Sequence, residues 1–293
     1  MRVDRVSDEI FVLVSDRYAQ VTATVLLTSE GAIVVDALPF PSETRQILSF
    51  IEGKLGYPNV RYVINTHHHA DHVNGTSLFE SAEVISHDRC REILARLGEA
   101  RLREAQQQVP ELADVHLRLA DMTLQKELYL HVGGADLHLF HTPGHTPDGI
   151  SVYVAGEKVL IAGDTMMPVP HIVAGNIQEL QASLRRLLEM SPGFIIQGHG
   201  TVLLRGEAEE LLHANIAYLG TIVERVQRAI DRGEPPSELR RIDIESCGLS
   251  RIPLDGLVSR LHQDNLVTLY RRLQAAASGE NAQRHIASDY PRG

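Results

Sequence analysis

At 293 residues, 43% of them hydrophobic, the chain is long enough to form one large domain with an extension. Its formal net charge is −10 and its basic residues do not cluster, which argues against a nucleic-acid partner. Charges interrupt the apolar N-terminal stretch, unlike in a signal peptide, and no apolar run reaches the roughly 18 residues of a membrane helix. With two cysteines, Cys90 and Cys247, we expect a reduced cytoplasmic protein without a membrane partner.

Strands and helices alternate in the first part of the chain. Short runs rich in β-branched residues, bounded by turn signals, predict strands. A helical pattern begins after the third run, with Ser42 as the expected N-cap and Gly56 as the stop. A longer stretch of helical composition follows the fifth run. The predicted strands are 10–14, 21–28, 32–36, 60–65 and 84–86, and the predicted helices are 41–55 and 88–108.

The second part of the chain repeats this alternation and then becomes helical. The Gly133-Gly134 pair predicts a hairpin turn between two strands. Strand signals vanish from Glu207 onward, and the polar residues after Ser278 predict a flexible tail. The predicted strands are 128–132, 136–140, 150–154, 159–162 and 193–197, and the predicted helices are 177–190, 207–232, 237–245 and 254–277.

These patterns predict a three-part organisation. We expect a β-rich domain at 1–205, a helical C-terminal extension at 206–278 and a polar tail at 279–293. Two β-rich halves that each carry helices indicate two packed sheets with helices outside. The extension would cover the mouth of a site or form a subunit contact, and its segment 215–228 fits a homodimer contact as well as a pocket wall. The stretch 88–120 is a candidate lid.

The most informative segment is Thr-His-His-His-Ala-Asp-His at residues 66–72, directly after a predicted strand. It offers four side chains that bind zinc, manganese or iron, because these metals accept neutral imidazole and carboxylate ligands. A strand that ends in such a loop directs alternate residues into one cleft. The four candidate ligands are His67, His69, Asp71 and His72.

Three later segments carry further ligand types at or beside the ends of predicted strands. They are T-P-G-H-T around His145, A-G-D-T around Asp164 and Q-G-H-G around His199. In each segment, glycine allows the backbone to approach closely. A lone histidine of this kind is more often a polar surface residue than a ligand. The recurrence of ligand types in all three segments nevertheless predicts one shared metal site.

Together these motifs resemble those of the metallo-β-lactamase superfamily. The family's H-x-H-x-D-H pattern stands at residues 67–72, and its later histidine, bridging aspartate and last histidine follow in the family's order. The resemblance covers roughly residues 8–205. It implies an α/β fold, the four-layer αβ/βα metallo-β-lactamase sandwich, here with a helical C-terminal extension.

The resemblance also implies two divalent metal ions as cofactors, zinc in the first place, with Mn2+ or Fe2+ as alternatives. A hydroxide that bridges the ions would attack a small-molecule substrate, and Asp71 would be the catalytic residue that carries the proton to the leaving group. The implied ligands are His67, His69 and His145 at one metal, Asp71, His72 and His199 at the other, and Asp164 between both.

Other polar residues near the motifs are expected to have supporting roles. His68 faces away from its ligand neighbours and is expected either to support a ligand or to be exposed. Both His141 and Thr66 are expected to make structural hydrogen bonds. Asp36, at a strand end, fits the orientation of a ligand imidazole as well as a plain turn. Surface positions are expected for the remaining histidines, which are His87, His116, His131, His138, His213, His262 and His285.

The segment after the bridging aspartate narrows the substrate class. Residues 165–173 contain no lysine or arginine, whereas glutathione thioester hydrolases and persulfide dioxygenases of this family carry basic residues there. The best-known lactonases place a tyrosine where Met167 stands, and Asp164 argues against a dedicated β-lactamase. Met166, Met167 and His171 are the candidate substrate-binding residues, although paired methionines also serve as core filler.

The sequence therefore predicts a metal-dependent hydrolase of a small ester, lactone or related acyl bond. The alternatives are a glutathione thioester hydrolase, a hydrolase with promiscuous β-lactamase or phosphotriesterase activity, and a mononuclear iron sulfur dioxygenase. The dioxygenase would use one histidine of the first motif with His145 and Asp164. Tyr270 and His262 are candidates to reach into the pocket from the C-terminal side.

Overall fold

Two mixed β-sheets pack face to face in the computed structural model, which describes residues 1–277. The first sheet contains β1 (Arg2–Arg5), β2 (Ile10–Val14), β3 (Thr22–Thr28), β4 (Gly31–Val35), β5 (Val60–Ile64), β6 (Glu83–His87) and β7 (Met122–Leu124). The strands lie in chain order across the sheet. Neighbours from β1 to β4 pair antiparallel, and neighbours from β4 to β7 pair parallel.

The second sheet is largely antiparallel. It contains β8 (Glu127–Val132), β9 (Ala135–His141), β10 (Ile150–Val154), β11 (Val159–Gly163), β12 (Phe194–Gln197) and β13 (Val202–Leu204). Their order across the sheet is β13-β12-β11-β10-β9-β8, with β11 and β12 paired parallel. The predicted Gly133-Gly134 turn joins β8 to β9, and both glycines have positive φ angles, as tight hairpin turns require.

Seven α-helices accompany the two sheets within the described residues. They are α1 (Pro41–Leu55), α2 (Ala70–Val73), α3 (Asp88–Ile93), α4 (Glu99–Gln108), α5 (Ile177–Glu189), α6 (Arg205–Asp231) and α7 (Leu257–Ala277). A π-helical turn at Leu94–Gly98 links α3 to α4, so the predicted helix 88–108 is confirmed as one continuous helical stretch. Within residues 1–277, no helix is long and apolar enough to cross a membrane.

Alternation along the strands divides the core into layers. On β2, Ile10 faces the interface between the two sheets, and Leu13 faces the opposite side, where α1 packs. On β11, Ile161 faces the interface between the sheets and Leu160 faces α5. Each fully buried aliphatic side chain of this kind contributes roughly 1.5–3 kcal/mol. The arrangement is helix, sheet, sheet, helix, which confirms the predicted four-layer α/β sandwich.

The C-terminal helices share one hydrophobic core with the second sheet. Leu219 and Ile222 of α6 and Leu266 of α7 are fully buried in the same cluster as Ile195 of β12. The helical extension past residue 206 is therefore packed on the sandwich. The exact domain boundaries, the homodimer contact and the lid at 88–120 stay predictions.

Several local predictions were wrong. The segment 237–245 is not an α-helix but lies in 3-10 turns at Pro236–Arg241 and Glu245–Cys247, with Ile242 between them in an extended conformation. Helix α1 is preceded by an extended N-cap residue, Phe40, and the hydroxyl of Ser42 instead contacts Glu111. The short strands β1, β7 and β13 were not predicted, because three or four residues carry too little periodic pattern.

The remaining local predictions had different outcomes: the helix stop at Gly56 was confirmed, and the helix start at 254 was wrong. Gly56 ends α1 with a φ of 81°, the left-handed conformation that glycine adopts without strain. Cys90 and Cys247 are both free. A 3-10 turn at Leu254–Gly256 precedes α7 where one helix from 254 was predicted, and Asp255 there has a left-handed φ of 54°. The predicted tail 279–293 lies outside the described residues.

Candidate metal centre

The candidate ligands meet at one edge of the sandwich, where both sheets present the carboxyl ends of strands. His67 and His69 follow β5, Asp164 follows β11, and His199 follows β12, whereas His145 lies in the loop between β9 and β10. Parallel pairing of β11 with β12 brings two of these strand ends together. Two backbone hydrogen bonds join the sheets here, from Thr22 N to Gly198 O and from Ile150 N to Thr66 O, each 2.9 Å long.

The seven candidate ligands form two groups, and within each group the ligand atoms lie within 4.8 Å of one another. The first ligand group contains His67, His69, His145 and Asp164, and the second ligand group contains Asp71, His72 and His199. In the first group, His145 Nε2 lies 3.0 Å from His69 Nδ1. In the second group, Asp71 Oδ2 lies 3.7 Å from His72 Nε2 and 3.4 Å from His199 Nε2.

Asp164 lies between the two groups. Its Oδ2 is 3.3 Å from His145 Nε2 and 3.5 Å from His199 Nε2, and its Oδ1 is 3.3 Å from His72 Nε2. One carboxylate therefore faces imidazoles of both groups, as expected of a bridging ligand.

Metal ions fit this arrangement because several buried atoms lack a partner. Among the described residues, His67 Nε2, His72 Nε2 and Asp164 Oδ1 are buried and make no hydrogen bond of acceptable geometry. Leaving a buried polar atom unsatisfied costs about 1–3 kcal/mol, and more near charged groups. Such atoms are rarely left orphaned in proteins, and imidazole nitrogen and carboxylate oxygen are ligands for divalent ions. The donor set therefore suits two such ions.

Hydrogen bonds to backbone carbonyls hold the Nδ1 atoms of two candidate ligands, His145 and His199. His145 Nδ1 donates to His171 O at 2.8 Å, and His199 Nδ1 donates to Ala19 O at 2.9 Å. Because each of these nitrogens faces a carbonyl, it carries the proton, and the other nitrogen is left to face the centre. Each ring is thereby fixed in the orientation that ligation needs.

Asp36 orients two parts of the first motif. Its Oδ2 lies 2.9 Å from His72 Nδ1, and its two oxygens accept 2.8 Å hydrogen bonds from the backbone and hydroxyl of Thr66. Of the two roles considered for Asp36, the structure shows the orientation of His72. The expected structural hydrogen bonds of Thr66, and of His141 to Pro147 O at 3.0 Å, are confirmed.

Asp148 is a site residue that the sequence analysis missed. It is fully buried, and its carboxylate accepts hydrogen bonds of 2.8 Å from both His68 N and His68 Nδ1. His68 is thus buried and supports the backbone between two candidate ligands, so the alternative of an exposed His68 is excluded. The signal was an aspartate three residues after His145, but nothing local indicates that it reaches a residue 80 positions earlier.

The electrostatics differ between the two ligand groups. Burial lowers the pKa of all three histidines of the first group, so these imidazoles are neutral at pH 7. Burial also opposes protonation of the second group's histidines, but the carboxylates of Asp164 and Asp71 outweigh it. They raise the pKa of His72 well above its usual range and that of His199 to about 10. Without metal, the second group therefore holds protons.

The methionine prediction is corrected in part. Met166 is fully buried in the core beneath α6, and its sulfur lies 3.6 Å from Asn215 Nδ2, so it presents no surface to a substrate. Its assignment as a substrate-binding residue is wrong, and it is core filler. Met167 is also buried, with 4% of its surface exposed. His171 is partly exposed beside His145, with their ring centroids 5.9 Å apart.

Other histidine and tyrosine predictions also need correction. His87 and His262 are buried rather than on the surface. The ring Nε2 of each is satisfied by a hydrogen bond to a backbone carbonyl, Gln125 O and Ile242 O respectively. Neither His262 nor Tyr270 reaches into the metal centre, since His262 hydrogen-bonds to Tyr218 and Tyr270 hydrogen-bonds to Glu234 O. Surface positions are confirmed for His116, His131 and His213. His138 is half-buried, and His285 lies outside the described residues.

The fold and the paired ligand groups define a class of metal-binding α/β sandwiches, and the family comparison agrees. A family model described as the metallo-beta-lactamase superfamily matches residues 17–199, more than half of the chain. The protein therefore belongs to the metallo-β-lactamase superfamily.

Curated relatives match parts of the chain. The Beta-lactamase-like protein 2 homolog of Drosophila melanogaster is 28% identical over 141 residues, which cover 48% of this chain and 45% of that protein. The Hydroxyacylglutathione hydrolase of Rhodopseudomonas palustris (strain BisB5) is 26% identical over 176 residues, covering 59% of this chain and 61% of that protein. The chain thus spans about half the length of the curated relatives it matches.

Solved structures share the architecture. A metallo-beta-lactamase from Pontibacter korlensis superimposes with a TM-score of 0.60 at 18% identity, covering 72% of this chain and 98% of that one. The stereoselective inverting sec-alkylsulfatase Pisa1 from Pseudomonas sp. gives a TM-score of 0.69 at 17% identity, covering 92% of this chain and 50% of that one. At these identities the likeness concerns the fold alone.

Proposed function

We propose that this protein is a dinuclear metal hydrolase, with zinc as the expected metal, that cleaves a small ester, lactone or related acyl bond. The observation that carries the proposal is the convergence of two ligand groups on one bridging carboxylate, with three buried ligand atoms left without partners. A purely structural cluster of histidines would be expected to satisfy these atoms internally.

The roles of the chain's own residues follow from their placement. His67, His69 and His145 would hold one ion, the second ligand group would hold the other, and Asp164 would contact both. When bound, the two ions supply a water of lowered pKa and positive charge opposite the developing oxyanion. Asp71 has 19% of its side chain exposed and an ionised carboxylate, since His72 and His199 keep its pKa low despite burial. It is the group proposed to move the proton to the leaving group.

The surroundings favour a substrate that is uncharged next to the scissile bond. The segment after Asp164, residues 165–173, contains no lysine or arginine. Its one polar ring at the centre, His171, is neutral at pH 7, because burial and the neighbouring His145 lower its pKa to about 3. The side chains of this segment itself offer no positive charge to an anionic substrate. Together with Met167, His171 is the proposed substrate contact.

A second candidate function is hydrolysis of a glutathione thioester. It is favoured by the curated relatives named Hydroxyacylglutathione hydrolase, two of which match 53% and 59% of this chain. Rates with an uncharged lactone, an uncharged ester and a hydroxyacylglutathione thioester would separate the two candidates. Higher kcat/KM for the thioester by tenfold or more would replace the ester and lactone proposal with this one.

Metal content tests the dinuclear proposal directly. Elemental analysis of untagged protein purified without added metal is expected to find two divalent ions per chain, as zinc, manganese or a mixed pair. One iron per chain with the second ligand group empty would overturn the proposal and support a mononuclear iron oxygenase. Oxygen consumption with thiol substrates would then be the next measurement.

Variants test the assigned roles. Asp71→Asn and His69→Ala are expected to lower kcat/KM by about 100-fold or more, because general acid–base groups and metal ligands contribute at least that much. Circular dichroism is expected to show a retained fold. His213→Ala, an exposed histidine on α6, is the matched control and should leave kcat/KM unchanged. Near-normal kcat/KM in either site variant would refute the two-metal assignment.

A further inference from the structure

The segment after Asp164 connects the metal centre to the C-terminal helices. We call residues 166–175 the connecting segment. On one side, its His171 carbonyl accepts the 2.8 Å hydrogen bond from Nδ1 of the candidate ligand His145. On the other side, it lies under α6 and α7, and Asn215 of α6 donates a 2.8 Å hydrogen bond to Met167 O. The orientation of the His145 ring therefore depends on where this segment is held.

Asn265 of α7 brackets the peptide units around His171. Its Oδ1 accepts a 2.9 Å hydrogen bond from Ile172 N, and its Nδ2 donates a 2.7 Å hydrogen bond to Pro170 O. The side chain is fully buried, so water does not offer competing partners. The Asn265 amide thus fixes the backbone on both sides of the His171 carbonyl, which accepts the hydrogen bond from His145.

A buried network fixes which way the Asn265 amide points. His262 Nε2 lies 2.9 Å from Ile242 O and must donate to it, so His262 Nδ1 accepts from the hydroxyl of Tyr218 at 2.8 Å. The Tyr218 oxygen is then free to accept from Asn265 Nδ2 at 3.2 Å. Because Nδ2 must face Tyr218 and Pro170, Oδ1 must face Ile172 N.

Arg272, two turns further along α7, holds the same segment from the surface. Its guanidinium donates to Ile172 O at 3.2 Å, to Gly175 O at 2.9 Å and to Val173 O at 2.7 Å. Arginine presents several donors in one rigid plane, which suits the simultaneous binding of three carbonyls. Helix α7 therefore binds the connecting segment through the buried Asn265 and the exposed Arg272.

We propose that Asn265 and Arg272 are positioning residues for the metal centre, which set the orientation of His145 through the connecting segment. The proposal rests on the proposed function, since it takes His145 to be a metal ligand. It assigns a role to the C-terminal helices that the ligand motifs do not reveal. The polar groups that support a ligating histidine commonly change metal affinity by about 10- to 100-fold when they are removed.

The test is zinc affinity of the full-length chain, measured by competition with a chromophoric chelator. Arg272→Ala and Asn265→Ala are expected to weaken one of two zinc sites by roughly 10-fold and to leave the other near its wild-type affinity. His145→Ala identifies which affinity belongs to the first ligand group. Arg271→Ala is the matched control, because Arg271 is the exposed neighbour of Arg272 on the same helix. It is expected to bind both ions as wild type does.

The possible outcomes distinguish failure of the positioning role from failure of the proposed hydrolase function. Because Arg272 is exposed, its variant keeps the test valid even if Asn265→Ala fails to fold. Two unchanged zinc sites in Arg272→Ala, or equal weakening of both sites with a lower Tm of the metal-free protein, would overturn the positioning role while leaving the proposed function intact. Wild-type protein that binds neither zinc nor manganese would refute the proposed function and the positioning role together.

Discussion

At the scale of single residues, the candidate metal centre depends on buried polar groups that are not among its candidate ligands. Asp36, Asp148 and the carbonyl of His171 each hold an imidazole or the backbone beside one. Hydrogen bonds to a charged group in a buried site contribute about 1.5–3 kcal/mol each, and their loss leaves the remaining partner unsatisfied. These residues are therefore expected to be as sensitive to substitution as core residues.

Asp148 allows this expectation to be measured as stability. Burial opposes its ionisation, but the hydrogen bond and charge of His68 outweigh burial and lower the pKa of Asp148 below its usual value. Asp148→Asn is expected to lower the free energy of unfolding of metal-free protein by about 1–3 kcal/mol at pH 7, measured by urea denaturation.

The pH dependence of that loss has a definite sign. A carboxyl group with a lowered folded pKa stabilises the fold above its unfolded pKa of about 3.9, and this contribution is lost as the pH falls through the folded value. The difference between wild type and Asp148→Asn should thus be complete near pH 6 and shrink below about pH 4. Asp136→Asn, at an exposed pair with His131, is the control and should show little change. Equal stability of wild type and Asp148→Asn at pH 6 would contradict the role of Asp148.

At the scale of elements, the strand ends bring the ligands together only because small residues let the loops approach. Gly198, directly after β12, lies so close to Asp164 that an added Cβ would stand 1.9 Å from Asp164 Oδ1. Gly163, at the end of β11, has a φ of 51°, and a Cβ there would lie 2.8 Å from Thr66. Substitution of either glycine would force the Asp164 carboxylate or Thr66 to move.

Gly198→Ala is therefore expected to disrupt the centre while the sandwich persists. The clash displaces Asp164, so we expect zinc stoichiometry by elemental analysis to fall and kcat/KM to drop by at least 100-fold. Gly220→Ala is the matched control, because Gly220 lies inside α6 with nothing within 4 Å of an added Cβ. It should keep full metal content and gain about 0.5–1 kcal/mol of stability from helix propensity. Full metal content in Gly198→Ala would contradict this prediction, because it would show that the loop after β12 accommodates the added methyl group.

At the scale of the whole molecule, metal binding and protonation compete. The metal-free protein holds protons on His72 and His199, whose pKa values are raised by the surrounding carboxylates, to about 10 for His199. The histidines of the first ligand group are already neutral, because burial lowers their pKa values. Since a ligating imidazole must be unprotonated, only the second group has to release protons.

Zinc binding at pH 7 is therefore expected to release about two protons per chain. Affinity at the second ligand group should rise with pH up to about 10, because deprotonation then costs less, whereas affinity at the first group should change little between pH 7 and 8. Isothermal titration calorimetry in two buffers of different ionisation enthalpy measures the proton count. His199→Ala should remove about one proton from it. Zero proton release by wild type would contradict the electrostatic description.

Most regular elements were predictable because their signals are local. The continuous apolar run of β2 and the ends of α1 at Pro41 and Leu55 depend on residues that are neighbours in the chain. Where local signals were weak, the prediction was wrong, as at 237–245, where the extended residue Ile242 lies between two 3-10 turns. The β13 strand depends on pairing with β12 rather than on its own pattern.

By itself, the sequence determined the family, the four-layer sandwich and the candidate ligands, since each ligand stands in a short motif at or near a strand end. Only the tertiary structure decided which distant groups serve that centre. Asp148 reaches His68, and Asn265 reaches the segment beside His145, across 80 and 93 positions of the chain. Burial and hydrogen bonding depend on contacts between elements, so Met166 proved to be core and His262 proved to be buried. Local sequence patterns identify the candidate ligands, whereas packing between distant elements determines the burial and hydrogen bonds that orient those ligands and shift their pKa values.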